Sequence, residues 1–213
     1  MLLFIAVVML YSCKGSDTVE DVDGNVYHTI KIGEQVWMVE NLKVTRYRNG
    51  NALKHAADST QWKNSHEGAY CNYNNDSSHV KNYGRLYNSY AVNDSRGLAP
   101  EGWHIPGKEE INTLIEYLKG DTIAAAKMKE AGLRSWIYPN AGASNESGFT
   151  AWPGGYRFGT GTFHTLGSNG YWWTTTSSFE VFAWSPRVFT DFADVNRDER
   201  YLTYGLSVRC IKD

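Results

Sequence analysis

Residues 106–132, PGKEEINTLIEYLKGDTIAAAKMKEAG, contain the clearest helical pattern of the chain and decide its fold class. Four apolar residues recur at helical spacing and form one stripe: Ile111, Leu114, Ile115 and Leu118. Glu109 and Glu110 lie in the first turn, where carboxylates suit the helix dipole, and Gly120 follows a basic last turn. A second short helix is predicted from 122 to 131.

Beyond residue 134, glycine and aromatic residues dominate, which favours short strands. The candidate strands are 149–152, 155–158, 171–175, 183–189 and 205–211. Together with the two helices, these short antiparallel strands and the long loops between them predict an α+β fold.

Upstream of the helices, the pattern is weaker. Apolar residues at 30, 32, 36 and 38 alternate around Gly33-Glu34, which predicts a β-hairpin. Residues 43–82 carry little periodicity and many polar side chains, so long surface loops are predicted there. Residues 85–92 fit either a short helix or a strand.

The amino-acid composition limits the kinds of partner that the protein could bind. The 213 residues contain 21 Lys+Arg against 23 Asp+Glu, so no basic excess points to nucleic acid. Aromatic residues are abundant, with 14 Tyr, 8 Trp and 8 Phe, and they could fill a bulky core or form a binding surface.

The start of the chain is typical of an export signal. Residues 1–10 form an apolar run too short to span a bilayer, and Leu10-Tyr11-Ser12-Cys13 resembles a bacterial lipobox. We therefore expect a signal peptide over 1–12, lipidation at Cys13, a tether over 13–18 and one domain over 19–213. The expected location is the bacterial cell envelope, anchored to the membrane by the N-terminal lipid and most simply in the outer membrane. An ordinary cleaved signal is the alternative.

With Cys13 lipidated, only Cys71 and Cys210 are left to form an intramolecular disulfide. An exported chain permits such a bond, and the sequence leaves open whether these two thiols meet.

The C-terminal third contains the candidate ligand-binding residues. Strands alternate their side chains, so about half of its aromatic residues should point away from the core. Aromatic rings with arginines among them are typical of binding surfaces. The candidates are Trp172, Trp173, Phe179, Phe182, Trp184, Arg187, Phe189, Asp191, Phe192 and Arg197. The alternative is that all of these rings belong to the core.

No motif predicts catalysis, a metal site or a cofactor. The six histidines are scattered, and His104 is expected to be a hydrogen-bonded core residue. Four acidic residues lie close together without the spacing of a calcium loop, which favours a solvated acidic loop: Asp191, Asp194, Asp198 and Glu199. The chain is therefore expected not to be an enzyme.

Several phrases, in order, resemble the Fibrobacter succinogenes major paralogous domain over about residues 19–212. They are DVDGNVY (21–27), IGEQVWMVENL (32–42), YGRLY (83–87), PEGWHIP (100–106), GGYR (154–157), GYWWT (170–174) and SVRC (207–210). The resemblance implies a fold similar to C-type lectin-like domains and to formylglycine-generating enzymes, with the N-terminal hairpin paired to the final strand near Val208. It also implies that the loops from about 150 to 200 form one ligand-facing side, and it agrees with an envelope lipoprotein of the Bacteroidota or Fibrobacterota groups.

Relatives often place a cysteine where Ala99 stands, so a family disulfide from that position to Cys210 cannot form and Cys71 is the only substitute. The formylglycine-generating relatives hold copper with a pair of active-site cysteines, whereas Cys210 lies in a phrase that resembles a structural strand.

The family has no settled activity, so the function rests on the candidate surface. We expect non-catalytic recognition of a cell-surface glycan, a peptide or another surface ligand, as in adhesion. One alternative is a variable protein of a diversity-generating retroelement, because residues 179–203 contain no Lys, Gln or Met. Others are a structural envelope or adhesin-tip component, and an enzyme related to the formylglycine-generating group.

Overall fold

The computed structural model describes residues 18–213, which form a mixed α and β structure of many short strands and few short helices. The expected signal peptide and the lipidation site at Cys13 lie outside the described residues. The strands are β1 (Thr18–Glu20), β2 (Val26–Ile32), β3 (Gln35–Met38), β4 (Lys54–His55), β5 (Ala69–Cys71), β6 (Leu86–Tyr87), β7 (Trp103–His104), β8 (Tyr156–Arg157), β9 (Phe163–His164), β10 (Asn169–Tyr171), β11 (Ser177–Phe179), β12 (Phe182–Phe189), β13 (Val195–Tyr201) and β14 (Ile211–Lys212). The helices are α1 (Ser59–Lys63), α2 (Val80–Tyr83), α3 (Ser89–Val92), α4 (Lys108–Tyr117) and α5 (Asp121–Met128), with 3-10 turns at Tyr73–Asn75 and Ser77–His79.

A five-stranded sheet joins the two ends of the described chain in the order β1-β2-β3-β14-β7. The hairpin β2–β3 turns at Gly33-Glu34, as predicted. Ile211 of β14 lies opposite Trp37 of β3, and the amide of Met38 donates to the Cys210 carbonyl at 3.0 Å. The expectation that the N-terminal hairpin pairs with the final strand is confirmed.

A second sheet is built around β12, the longest strand among residues 18–213. β13 pairs antiparallel with seven consecutive residues of β12, while β10 and β11 pair with the two ends of β12. Smaller sheets contain β4-β5-β6 and β8-β9. β4 and β5 pair in parallel, and the isolated bridges Lys129–Ala151 and Trp172–Ser207 are parallel as well.

The two predicted helices are confirmed as α4 and α5. The predicted stripe is buried, with Ile111, Leu114, Ile115 and Leu118 packed in a core cluster that also contains Trp37 and Trp184. The Glu110 carboxylate accepts a hydrogen bond from the Gly107 amide at 2.8 Å, which satisfies a donor at the start of α4. Each helix ends one to three residues earlier than the pattern predicts.

The prediction of loops over residues 43–82 was wrong in part, since this stretch contains β4, α1 and β5. Asp58 caps α1 by accepting hydrogen bonds from the Thr60 and Gln61 amides. The helix buries only Trp62, whose indole donates to the Thr203 carbonyl at 3.0 Å. A helix with one buried residue produces no apolar periodicity, so the sequence pattern gave no signal. Residues 85–92 contain both β6 and α3, the two alternatives predicted there.

In the C-terminal third, four predictions need correction. Of the acidic residues expected in a solvated loop, Asp198 and Glu199 lie in β13 (Val195–Tyr201). No strand forms at 149–152, where the structure has only a bridge between Lys129 and Ala151. Only the first residue of 171–175 and only the last residue of 205–211 lie in strands. Residues 150–200 are therefore strands as much as loops. β13 is an edge strand, so its charged side chains can point into solvent. Its sequence therefore lacks the apolar alternation by which a strand is recognised.

Cys71 and Cys210 are both free and buried, so the possible disulfide between them is not formed. The two residues belong to different core clusters, Cys71 with Trp62 and Tyr73, and Cys210 with Tyr27 and Tyr87. Burial raises the pKa of both thiols to about 12. Neither thiol is therefore ionised near neutral pH.

We expect neither buried thiol to react with a maleimide while the protein is folded, because the thiolate is the nucleophile. In guanidinium chloride both thiols should react. Peptide mapping by mass spectrometry locates the label, and rapid labelling of Cys71 or Cys210 in the folded protein would contradict the burial described here.

His104 lies between two carboxylates at the junction of β7, α4 and the C-terminus. Its Nδ1 is 2.6 Å from Asp213 and its Nε2 is 2.7 Å from Glu110. Partial burial opposes the charged ring, but the hydrogen bonds to Asp213 and Glu110 outweigh it and raise the pKa of His104. The expected hydrogen-bonded histidine is confirmed, although it is half-exposed rather than in the core. None of the helices in residues 18–213 has the length and apolar composition of a membrane-spanning helix.

Candidate ligand-binding surface

The three tryptophans among the predicted binding residues belong to the core. Trp172, Trp173 and Trp184 are each at most 6% exposed. The Trp172 indole donates to Asn41 Oδ1 at 2.9 Å, and the Trp173 indole donates to the Tyr87 carbonyl at 2.6 Å. Since both faces of β12 are covered by packed elements, alternation along this strand does not expose Trp184. The prediction was wrong for these residues.

Arg197, Asp191 and Phe192 are exposed, and the Phe192 ring contacts the Phe189 ring with centroids 5.8 Å apart. Arg197 is paired with Asp121 of α5, through Nε at 3.0 Å and Nη2 at 2.9 Å. The loop after β12 carries Asp191 and Phe192, and it is held by Lys129. The buried Lys129 ammonium donates to three carbonyls, those of Ala141, Phe189 and Phe192, at 2.8–3.0 Å. This loop is a fixed part of the fold.

A continuous row of rings crosses from the hairpin β8–β9 to the end of β13. Tyr156 and Tyr204 stack with ring centroids 5.8 Å apart, and Phe158 contacts Tyr204 at 4.7 Å. Tyr201 lies 5.8 Å from Tyr204, and Phe182 lies 4.3 Å from Tyr201. Tyr201 is 49% exposed and Phe158 is 36% exposed, so ring faces are accessible to a ligand. Phe179 is also exposed and pairs with Phe182 at the β11–β12 turn.

His164 of β9 completes the row by stacking on Tyr156 at 5.3 Å. We define the ring row by its six members: Tyr156, Phe158, His164, Phe182, Tyr201 and Tyr204. Edge-to-face and offset arrangements of this kind are favourable, so the rings support one another as a rigid surface.

Two arginines lie beside the ring row and share one carboxylate. Arg187 Nη1 and Arg200 Nη2 approach the same oxygen of Asp198, at 3.3 Å and 2.6 Å. The three side chains are 21%, 18% and 29% exposed, respectively. Because two cations share one anion, the cluster carries an excess of one positive charge. We call Arg187 and Arg200 the arginine pair.

Tyr171 of β10 connects the arginine pair to the ring row. Its buried ring lies 5.9 Å from the Arg187 guanidinium, 5.4 Å from that of Arg200 and 5.1 Å from the Tyr156 ring. Burial raises the pKa of Tyr156, while the positive charges of Arg200 and Arg187 oppose this rise, as expected for guanidinium groups close to the hydroxyl. The aromatic–arginine surface consists of the ring row, the arginine pair and Asp198.

Two of the ten predicted binding residues, Phe182 and Arg187, belong to this surface, and Phe179 and Phe189 contact it. The other five members of the ring row were not among the predicted residues: Tyr156, Phe158, His164, Tyr201 and Tyr204. The first three come from the separate hairpin β8–β9. A usable signal was the aromatic alternation at 156 and 158 around an arginine, which is typical of a strand with one solvent-facing side.

An open cleft of about 540 Å³ lies next to the end of the ring row and is lined mainly by polar side chains. The lining includes His66, Glu67, Tyr90, Asn93, Asp94 and Leu202. Leu202 follows Tyr201 in the chain, so the cleft borders the aromatic–arginine surface. Residues 18–213 contain no cluster of three or more His, Cys, Asp or Glu side chains placed to hold a metal ion.

Comparison with known proteins identifies the family. The model of the Fibrobacter succinogenes major domain matches residues 30–212, from the hairpin β2–β3 to the last strand. Comparison with curated proteins and with solved structures gave no significant match. Because the match covers most of the chain, this protein belongs to the Fibrobacter succinogenes major domain family.

Proposed function

We propose that this protein is a non-catalytic recognition domain that binds a cell-surface ligand, most simply a glycan, through its aromatic–arginine surface. The observation that carries the proposal is the ring row, in which six aromatic side chains from two separate parts of the chain meet at the surface. Aromatic and arginine side chains dominate the binding energy of most recognition surfaces. The C–H face of a sugar ring packs well on such rings because both surfaces are flat and partly apolar.

The two thiols of residues 18–213 support a binding role over chemistry of the formylglycine-generating type. That chemistry needs accessible thiolates, which are the ligands that soft copper prefers. Cys71 and Cys210 are buried in different clusters, and their raised pKa keeps them protonated. The aromatic–arginine surface presents ring faces and guanidinium donors. These groups bind a ligand by packing and hydrogen bonds, without forming a covalent bond to it.

The proposal includes a C-type lectin-like fold and display from a bacterial envelope. Support for the fold comes from the paired ends of the domain and from the sheet around β12 that carries the surface residues. Support for display comes from the lipobox-like phrase ending at Cys13, which predicts a lipid anchor in the outer membrane. The tether expected over residues 13–18 is short, so a lipid on Cys13 would hold the domain close to the membrane.

We expect the double variant Phe158→Ala with Tyr201→Ala to lose at least about tenfold in affinity for any glycan that the protein binds on an array. Both rings are accessible and contact Tyr204, so their removal deletes stacking area without opening the core. The melting temperature should change little. Isothermal titration calorimetry with the bound glycan and a thermal melt give the two quantities.

Tyr117→Ala is the matched control because Tyr117 is an exposed aromatic residue of α4 without a ring contact to the ring row. It should bind as tightly as the wild type. Equal affinities for the double variant and the wild type would show that the ligand does not contact the ring row.

A further inference from the structure

The arginine pair keeps donors that no described neighbour accepts. Both guanidinium groups face Asp198 Oδ2, and Arg200 Nη1 also donates to the Glu199 carbonyl at 3.2 Å. Among the described residues, Nε of Arg187 and Nε of Arg200 have no hydrogen-bond partner. Both Nε atoms are buried, so a ligand would meet the pair through the exposed part of each side chain, which is 21% for Arg187 and 18% for Arg200.

A buried hydroxyl lies under the same cluster. Ser185 is fully buried and lies directly opposite Asp198 in the register of β12 and β13, so the two side chains share one side of the sheet. The Ser185 hydroxyl oxygen also has no partner among residues 18–213. The unpaired polar atoms of Ser185, Arg187 and Arg200 are therefore grouped around Asp198.

Arg197 shows what a fully compensated arginine looks like on the same strand. Its guanidinium makes two hydrogen bonds to the Asp121 carboxylate, so one cation meets one anion. Arg187 and Arg200 share a single carboxylate instead. The difference places an uncompensated positive charge next to the ring row and leaves none around Arg197.

We propose that the ligand is an acidic saccharide, with its carboxylate bound by Arg187 and Arg200 and its sugar ring packed on the ring row. This inference rests on the function proposed above and specifies the chemical class of its ligand. The planar guanidinium fork matches a carboxylate, and such charge-assisted pairs are among the stronger hydrogen bonds. Tyr156 and Tyr204 are stacked on each other and partly buried, so the sugar ring would pack on the exposed rings of Phe158 and Tyr201. These exposed rings favour a sugar over an acidic peptide, whose acidic side chains do not present a broad flat face.

The test measures the intact protein against oligosaccharides that end in glucuronate, galacturonate or sialate, and against the carboxyl-reduced form of each. An acidic peptide library is included as a separate arm. The variants are Arg187→Gln and Arg200→Gln, which remove the charge and keep a polar but shorter side chain. Arg197→Gln is the matched control because it lies on the same strand with its own acidic partner.

The wild type should bind at least one acidic saccharide about tenfold or more tightly than its reduced form. Arg187→Gln and Arg200→Gln should erase this preference, Arg197→Gln should keep it, and added salt should weaken binding. Should a glutamine variant fail to fold, the ratio of the wild-type affinities for the acidic and the reduced saccharide still tests the acidic ligand class.

Equal binding of the acidic and reduced forms would overturn the acidic class while leaving recognition by the ring row intact. A preference that survives in both glutamine variants would overturn the assignment to the arginine pair. Binding of acidic peptides but of no saccharide would overturn the proposal that the ligand is a saccharide. Failure of every saccharide and peptide to bind would overturn this inference and the proposed function together.

Discussion

Replacing Arg209 by methionine is expected to lower the free energy of unfolding by about 3 kcal/mol. The guanidinium of Arg209 is fully buried and donates to Asn41 Oδ1 at 2.7 Å and to the Phe149 carbonyl at 2.6 Å. It also donates to the Met38 carbonyl at 3.2 Å and packs over the Phe149 ring. One side chain thus ties together the end of β3, the loop at Phe149 and the segment just before β14. Methionine keeps the apolar stem but leaves buried carbonyls without donors.

Urea unfolding of both proteins at one pH measures the difference. Arg134→Met is the control, since Arg134 is exposed and the change should cost no more than about 0.5 kcal/mol. If Arg209→Met were as stable as Arg134→Met, Arg209 would not be the connection that joins these three segments.

Replacing Arg157 by methionine should cost a similar amount, about 3 kcal/mol, and should also weaken ligand binding. The buried Arg157 donates to three carbonyls, those of Gly161, Ala56 and Ala57, at 2.5–3.0 Å. Its guanidinium lies between the rings of Trp62 and Phe163, each 4.7 Å away.

The effect on binding follows from position in the chain, because Tyr156 and Phe158 flank Arg157 and belong to the ring row. Loosening the hairpin β8–β9 would misplace both rings. Arg157→Lys should recover only part of the stability, since an ammonium cannot reproduce the planar fork between two rings. Urea unfolding and titration calorimetry report the two effects, and an Arg157→Met variant with unchanged stability would contradict the role assigned to this arginine.

Both arginines occur in phrases that resemble the family, GGYR (154–157) and SVRC (207–210), yet the sequence did not reveal their role. An arginine is normally exposed, so a pattern of apolar residues does not include it in the core. The structure shows why each is buried: its donors meet backbone carbonyls from segments far apart in the chain. Contacts of this kind depend on tertiary structure and leave no periodic signal.

What could be predicted was the part of the fold with local periodicity. The stripe from Ile111 to Leu118 gave α4, and alternation around Gly33 gave the hairpin β2–β3. The strand β13 was missed because its charges pair across the sheet, as Asp198 does with Arg187 of β12, or with a helix, as Arg197 does with Asp121.

The predicted binding residues overlap with the aromatic–arginine surface only in part. Of the predicted rings, Phe179 and Phe192 are exposed and Phe182 and Phe189 are partly exposed, whereas Trp172 and Trp184 are buried. Single-strand alternation cannot show whether a strand is covered on one side or on both. The contribution of β8–β9 required the tertiary structure, because this hairpin reaches the surface from a distant part of the chain.

The most direct test of the aromatic–arginine surface is an amide NMR titration of the isotope-labelled protein with its tightest-binding oligosaccharide. The largest shift changes should cluster at β8, at Phe158 and at residues 200–204. Largest changes at the cleft lined by His66, Glu67 and Tyr90, or no change at any residue of the aromatic–arginine surface, would contradict the site proposed here.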